Sequence, residues 1–84
     1  MADTLLIIDD EESIRDSLAG ILTDEGFATL TAPSAEEGLL LLEQQEIDLV
    51  LLDIWMPGMD GLEALKEITR RFDTPVIMIS GHGT

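Results

Sequence analysis

The chain has 84 residues, 45% of them apolar, a composition that predicts one small packed domain and argues against a multidomain machine or a wholly disordered chain. Eighteen Asp and Glu residues against four Lys and Arg give a formal net charge of -14, which disfavours direct binding to nucleic acid or to an anionic membrane surface. There is no cysteine, no apolar run of membrane-spanning length and no basic segment before the first apolar run. We therefore expect a cytoplasmic protein without disulfides, cysteine-bound metal or a membrane span.

Short apolar runs alternate with segments of helical periodicity, a pattern typical of a parallel β-sheet with crossover helices. The predicted strands are 5–8, 27–31, 47–52 and 76–79. A helix is predicted after each of the first three strands. Gly26 is the expected end of the first helix, Ser34 begins the second and Asp60 begins the third. The sequence therefore predicts a single β-α-β-α-β-α-β domain over residues 1–84.

Acidic and hydroxyl side chains follow three of the predicted strands. Asp9 and Asp10 come after the first strand, Asp53 after the third and Ser80 after the fourth. Right-handed crossovers make the strands parallel, so we expect these side chains to meet at the carboxyl edge of the sheet, where open α/β sheets bind ligands. Clustered carboxylates repel one another, and oxygen ligands without Cys or a His pair favour Mg²⁺. The pattern predicts a Mg²⁺ site beside a carboxylate that could accept a phosphoryl group.

Three motifs in this order, each at a predicted strand end, resemble the receiver domain of two-component response regulators. They are Asp9-Asp10, the segment DIWMPGMDG over 53–61 and the segment PVIMIS over 75–80. The resemblance covers the whole chain and implies a flavodoxin-like (CheY-like) parallel sheet of strand order 2-1-3-4. Receivers of this family continue with a fourth helix, a fifth strand and a fifth helix. We therefore expect residues 1–84 to be a C-terminally truncated receiver without those elements and without the lysine of strand five.

The resemblance also implies roles for individual residues. Asp53 is the implied phospho-acceptor for a sensor histidine kinase, Ser80 the switch hydroxyl, and Met56 and Pro57 the turn that shapes the site. The implied Mg²⁺ ligands are Asp9, Asp10, Asp53 and the backbone carbonyl of Trp55. Such a domain catalyses only its own phosphotransfer and dephosphorylation, and its output is expected to be transcriptional. By family analogy, the kinase docks on a helix-one surface that carries Ile14, Arg15 and Leu18.

Plainer interpretations of the same residues remain open at this point. Residues 9–12 could be the solvated acidic start of a helix, Asp53 a turn residue and Ser80 an ordinary strand end. The alternative function is a non-catalytic interaction module that forms a homodimer through the exposed edge of strand four. A dinucleotide-binding enzyme fragment is disfavoured because the turn after strand one lacks a Gly-x-Gly-x-x-Gly motif.

Overall fold

A computed structural model of the chain describes residues 2–54, 56 and 61–79. The elements are β1 (Thr4–Ile8), α1 (Glu12–Asp24), β2 (Ala28–Ala32), α2 (Ala35–Gln44), β3 (Leu49–Asp53), α3 (Gly61–Arg71) and β4 (Val76–Ile79). The four strands are parallel and lie in the order β2-β1-β3-β4, so the predicted fold and strand order are confirmed. None of the described helices is both long and apolar enough to cross a membrane.

The strand order determines which face of the sheet each helix covers. The chain moves one way from β1 to β2 and the other way from β2 to β3 and β4, so right-handed crossovers put α1 on one face and α2 and α3 on the other. The α2 and α3 face holds the main core, in which Leu6 and Val50 of the sheet pack with Leu39 of α2 and Ile68 of α3. The opposite face is formed by the alternate strand residues, such as Ile7, which is also fully buried.

The cover on the α1 face is thinner towards β4. No residue of α1 is buried, and Ile21 on this helix is 60% exposed. The strand register places Leu51 beside Ile77, and Ile77 is 51% exposed. Among the described residues, β4 is an edge strand with a half-exposed apolar face.

The bounds of β1, β2 and β3 differ from the prediction by one or two residues, and two of the strand starts have clear local reasons. The end of α1 is a Schellman turn in which Gly26 has φ +98° and the N–H of Phe27 donates to the carbonyl of Leu22, so β2 begins at Ala28 rather than at Phe27. β3 begins at Leu49 rather than Ile47. Asp48, just before it, accepts the N–H of Thr4 on its carboxylate (2.7 Å) and donates its own N–H to the Thr4 carbonyl (2.8 Å).

The start of α2 agrees with the prediction. Ser34 has an extended backbone, and its hydroxyl oxygen accepts the N–H of Glu37 at 3.2 Å, which satisfies one of the free donors of the first turn. The predicted cap of α3, Asp60, lies outside the described residues. So do three residues of the predicted site, Trp55, Pro57 and Ser80.

Candidate functional site

Three carboxylates meet at the carboxyl edge of the sheet, between β1 and β3. Asp9 follows β1 directly, and its N–H continues the ladder to β2 by donating to the Ala32 carbonyl at 3.1 Å. Asp53 is the last residue of β3. Asp9, Asp10 and Asp53 can each bring one carboxylate oxygen to within 4.8 Å of the others. This position, where the strand order reverses direction, is where open α/β sheets bind their ligands.

The two neighbouring acids after β1, Asp9 and Asp10, differ in burial. The alternation of side chains along a strand puts Asp9 and Asp53 on the same face, and both are 0% exposed. Asp10 is exposed. Two buried carboxylates this close, with a third that is exposed, form a strongly anionic site. Such a group of charges needs a cation or several hydrogen-bond donors to be stable.

The electrostatics of the site act most clearly on Asp9. Burial is the main cause that raises the pKa of the Asp9 carboxyl above its ordinary value, and the nearby charges of Asp53 and Asp10 raise it further. A hydrogen bond from the Glu11 N–H opposes this rise in pKa. In the absence of a cation, the folded chain therefore holds a proton on Asp9 more tightly than an isolated aspartate does.

The two oxygens of the Asp9 carboxylate have different surroundings. Oδ1 accepts the N–H of Glu11 at 2.9 Å, an Asx-type turn that leads the chain from β1 into α1. Oδ2 is buried and has no hydrogen-bond partner among the described residues. A buried carboxylate oxygen without a donor, next to two further carboxylates, fits a hard divalent cation with oxygen ligands. The described donor set is therefore suited to Mg²⁺.

The backbone after Asp53 is held by its neighbours. The N–H of Ile54 donates to the Ile79 carbonyl at 3.1 Å, and the N–H of Gly61 donates to the Ile54 carbonyl at 3.0 Å. A Cβ on Gly61 would lie 2.5 Å from the Ile54 Cα and 2.7 Å from the Asp53 carbonyl oxygen. The start of α3 thus touches the backbone that carries Asp53, and Gly61 permits this approach. Sequence reasoning missed this role, although a glycine at the first position of a helix was a signal for it.

Met56 and Arg15 also belong to the surroundings of the site. The Met56 side chain is 8% exposed and packs in the core with α2 and α3. Met56 itself is therefore held in the core, three positions after Asp53. The Arg15 guanidinium donates to the backbone carbonyl of Asp9, a contact that the sequence did not predict.

Comparison with known proteins agrees with this geometry. The family model for the response regulator receiver domain matches residues 5–84. The chain belongs to the response regulator receiver domain family. The predicted family is therefore confirmed.

Individual relatives of this receiver are regulators of several bacteria. The chain is 46% identical over 86 residues to the nitrogen assimilation regulatory protein NtrX of Azorhizobium caulinodans, covering 99% of this chain and 19% of that protein. It resembles the crystal structure of NtrX from Brucella abortus with a TM-score of 0.91 and 48% identity, over 100% of this chain and 20% of that one. The response regulator TrrA of Thermotoga maritima, solved in complex with Mg²⁺-BeF, gives a TM-score of 0.89 at 38% identity, over 96% of this chain and 71% of TrrA. This receiver therefore spans about a fifth of the length of the NtrX proteins that it matches.

Proposed function

We propose that this receiver accepts a phosphoryl group on the Asp53 carboxylate from a phosphohistidine of a sensor histidine kinase. A carboxylate oxygen of Asp53 attacks the phosphorus, the P–N bond breaks with its electron pair passing to the imidazole nitrogen, and an acyl phosphate remains on Asp53. The observation that carries this proposal is the clustering of Asp53 with Asp9 and Asp10 at the switch point of the sheet.

The reaction is proposed to depend on Mg²⁺. The proposed ligands are the carboxylates of Asp9, Asp10 and Asp53 and the backbone carbonyl of Trp55. Bound there, Mg²⁺ would neutralise charge on the phosphoryl oxygens as they approach the carboxylates. The buried Asp9 Oδ2, which lacks a hydrogen-bond partner among the described residues, supports this assignment, as does the complex of TrrA with Mg²⁺-BeF.

We propose that residues 1–84 are the β1-to-β4 part of a receiver whose fourth helix, fifth strand and fifth helix lie outside this sequence. Ser80, one position after the β4 partner of Asp53, is the proposed switch hydroxyl, and Met56 and Pro57 form the proposed turn at the site. A relative named as a transcriptional regulatory protein, AfsQ1 of Streptomyces coelicolor, is 42% identical over 77 residues and supports transcriptional regulation as the output. The charge of -14 argues that any contact with DNA is made by other parts of such a regulator, and the lack of cysteine fits a cytoplasmic setting.

Intact-mass analysis after incubation with acetyl phosphate tests the acceptor. We expect one phosphoryl adduct that requires Mg²⁺ and is lost in Asp53→Asn. Asp73→Asn is the matched control, because Asp73 is an exposed aspartate in the connection between α3 and β4, at the opposite edge of the sheet. An adduct that survives in Asp53→Asn, or none in a wild-type chain shown to be folded by circular dichroism, would contradict the proposal.

A second candidate function is self-association through β4. It is favoured by the half-exposed Ile77 on the edge strand and by the thin cover of that face by α1. The large net negative charge opposes contact between two copies, so association should strengthen with salt. Sedimentation at several salt concentrations tests this, with Ile77→Lys as the disrupting variant. A chain that stays monomeric at high protein concentration and high salt would exclude the dimer.

A further inference from the structure

Arg15 makes an unusual contact for a residue in the first turns of a helix. Its side chain folds back past the start of α1, and Nη1 donates to the backbone carbonyl of Asp9 at 2.8 Å. Arg15 is half-buried and lies six positions after its acceptor. The guanidinium is therefore hydrogen-bonded to the peptide group that joins Asp9 to Asp10.

The placement of this positive charge opposes the ordinary preference of a helix. The N-terminal end of a helix carries the positive end of the backbone dipole, so a cation there is unfavourable. The other Lys and Arg residues of the sequence are all on α3, where Arg70 pairs with Glu67 and Arg71 with Glu43 near the favourable C-terminal end. Arg15 is thus the Lys or Arg residue that the fold brings to the anionic site.

The contact completes a set of bonds that fix the main chain at Asp9. The Asp9 N–H donates to Ala32 of β2, its carboxylate accepts the N–H of Glu11, and its carbonyl accepts from Arg15. Repulsion between the buried carboxylates of Asp9 and Asp53 pushes the β1–α1 connection away from β3. A connection held at three points resists that push while the site contains no cation.

We propose that Arg15 is a positioning residue for the metal site, which by holding the Asp9 carbonyl keeps the Asp9 and Asp10 carboxylates arranged for Mg²⁺ and so raises the affinity for the ion. The inference rests on the proposed function of the carboxylate cluster. The hydrogen bond of Arg15 is to the main chain of Asp9 and not to a carboxylate of the proposed ligand set. Its effect passes through the main chain of Asp9.

The proposal predicts the opposite sign from a purely electrostatic role. A guanidinium near the site repels Mg²⁺, so removing the charge alone would strengthen Mg²⁺ binding. If Arg15 instead positions the ligands, removing it weakens binding, because groups that orient metal ligands typically contribute a factor of about 10 or more to affinity. A merely structural role would lower stability and leave the affinity for Mg²⁺ unchanged.

The test is an isothermal titration of the 84-residue chain with Mg²⁺, repeated with Arg15→Met, Arg15→Lys and the control Arg70→Met. Arg70→Met removes the same charge from an exposed position at the far end of α3. Urea unfolding of each variant, monitored by circular dichroism, verifies that it is folded and gives its stability separately. We expect Arg15→Met to weaken Mg²⁺ binding by about tenfold, Arg15→Lys to restore most of the affinity by keeping a donor and the charge, and the control to bind like the wild type.

The inference and the proposed function fail in different ways. If the wild-type chain binds Mg²⁺ and Arg15→Met binds it equally or more tightly, Arg15 has no positioning role and the carboxylate site stands. If Arg15→Met is unfolded, Arg15→Gln is titrated in its place. A folded Arg15→Gln with unshifted Asp9 and Asp10 amide resonances and wild-type Mg²⁺ affinity overturns the inference, whereas shifted resonances with weakened Mg²⁺ binding support it. A folded wild-type chain that binds no Mg²⁺ contradicts the proposed function itself.

Discussion

The contact between α3 and the acceptor strand gives a quantitative prediction for Gly61→Ala. The new Cβ would lie 2.5 Å from the Ile54 Cα and 2.7 Å from the Asp53 carbonyl oxygen. Carbon atoms pack best at about 3.5–4.0 Å, so the added methyl group overlaps the neighbouring backbone by about 1 Å. Because both neighbours are main-chain atoms, the overlap is relieved only by moving the start of α3 or the end of β3.

The cost follows from the two opposing effects of the substitution. Overpacking a buried site typically costs about 1–3 kcal/mol. Replacing glycine by alanine in a helix returns at most about 1 kcal/mol, and less at the first helical position, where Gly61 lies. The net loss of about 1–2 kcal/mol in the free energy of unfolding lowers Tm by roughly 5–15 °C for a domain of this size. Phosphorylation of Asp53 should slow as well, because the moved backbone carries the acceptor.

The matched control is Gly20→Ala, the same substitution in the middle of α1. Gly20 is exposed, and a Cβ there would have no atom within 4 Å, so only the helix preference acts. We expect Gly20→Ala to stabilise the chain by about 0.5–1 kcal/mol. Thermal and urea unfolding of both variants measure the two values. The reasoning is refuted if Gly61→Ala is as stable as Gly20→Ala, or if it is destabilised while acceptor chemistry at Asp53 proceeds at the wild-type rate.

Three further predictions concern the acidic site and the start of α2. Asp9→Asn should raise the Tm of the metal-free chain, because it removes a buried like charge, and should abolish most of the stabilisation of the chain by Mg²⁺. Thermal scans with and without Mg²⁺ measure both effects, and an equal rise in Tm with Mg²⁺ in the variant and the wild type would contradict the prediction. The pKa of Asp9 is raised in the folded state, so the stability of the wild-type chain falls as pH rises from the ordinary Asp pKa through the folded-state pKa. The Tm advantage of Asp9→Asn should therefore grow with pH between these two values and vanish at the acidic end. Ser34→Ala removes the acceptor for the Glu37 N–H and should cost about 1 kcal/mol in urea unfolding, whereas Ser17→Ala on the exposed surface of α1 should cost nothing.

The order of elements and the direction of the strands were predictable because they depend on local patterns. The apolar run 5–8 and its counterpart 76–79 read as buried strands, and both lie in strands of the structure. Gly26 and Ser34 predicted helix boundaries through their own chemistry, the first by a positive φ and the second by its hydroxyl oxygen. The family could be recognised from motifs at strand ends, because the sequence alone shows which residues follow each predicted strand.

The tertiary structure decided what those side chains experience. Asp9 and Asp10 are identical neighbours in the sequence, yet one is fully buried beside Asp53 and the other is exposed, because only the alternation of β1 within the assembled sheet distinguishes them. The same holds for Arg15, whose bond to a carbonyl six residues earlier depends on the path of the β1–α1 connection. The sequence by itself determined the order of the elements and which residues stand at the strand ends, since periodicity and turn chemistry are local. Burial, charge repulsion and the close approach of α3 to β3 arise only when distant segments pack together, so the tertiary structure alone decided them.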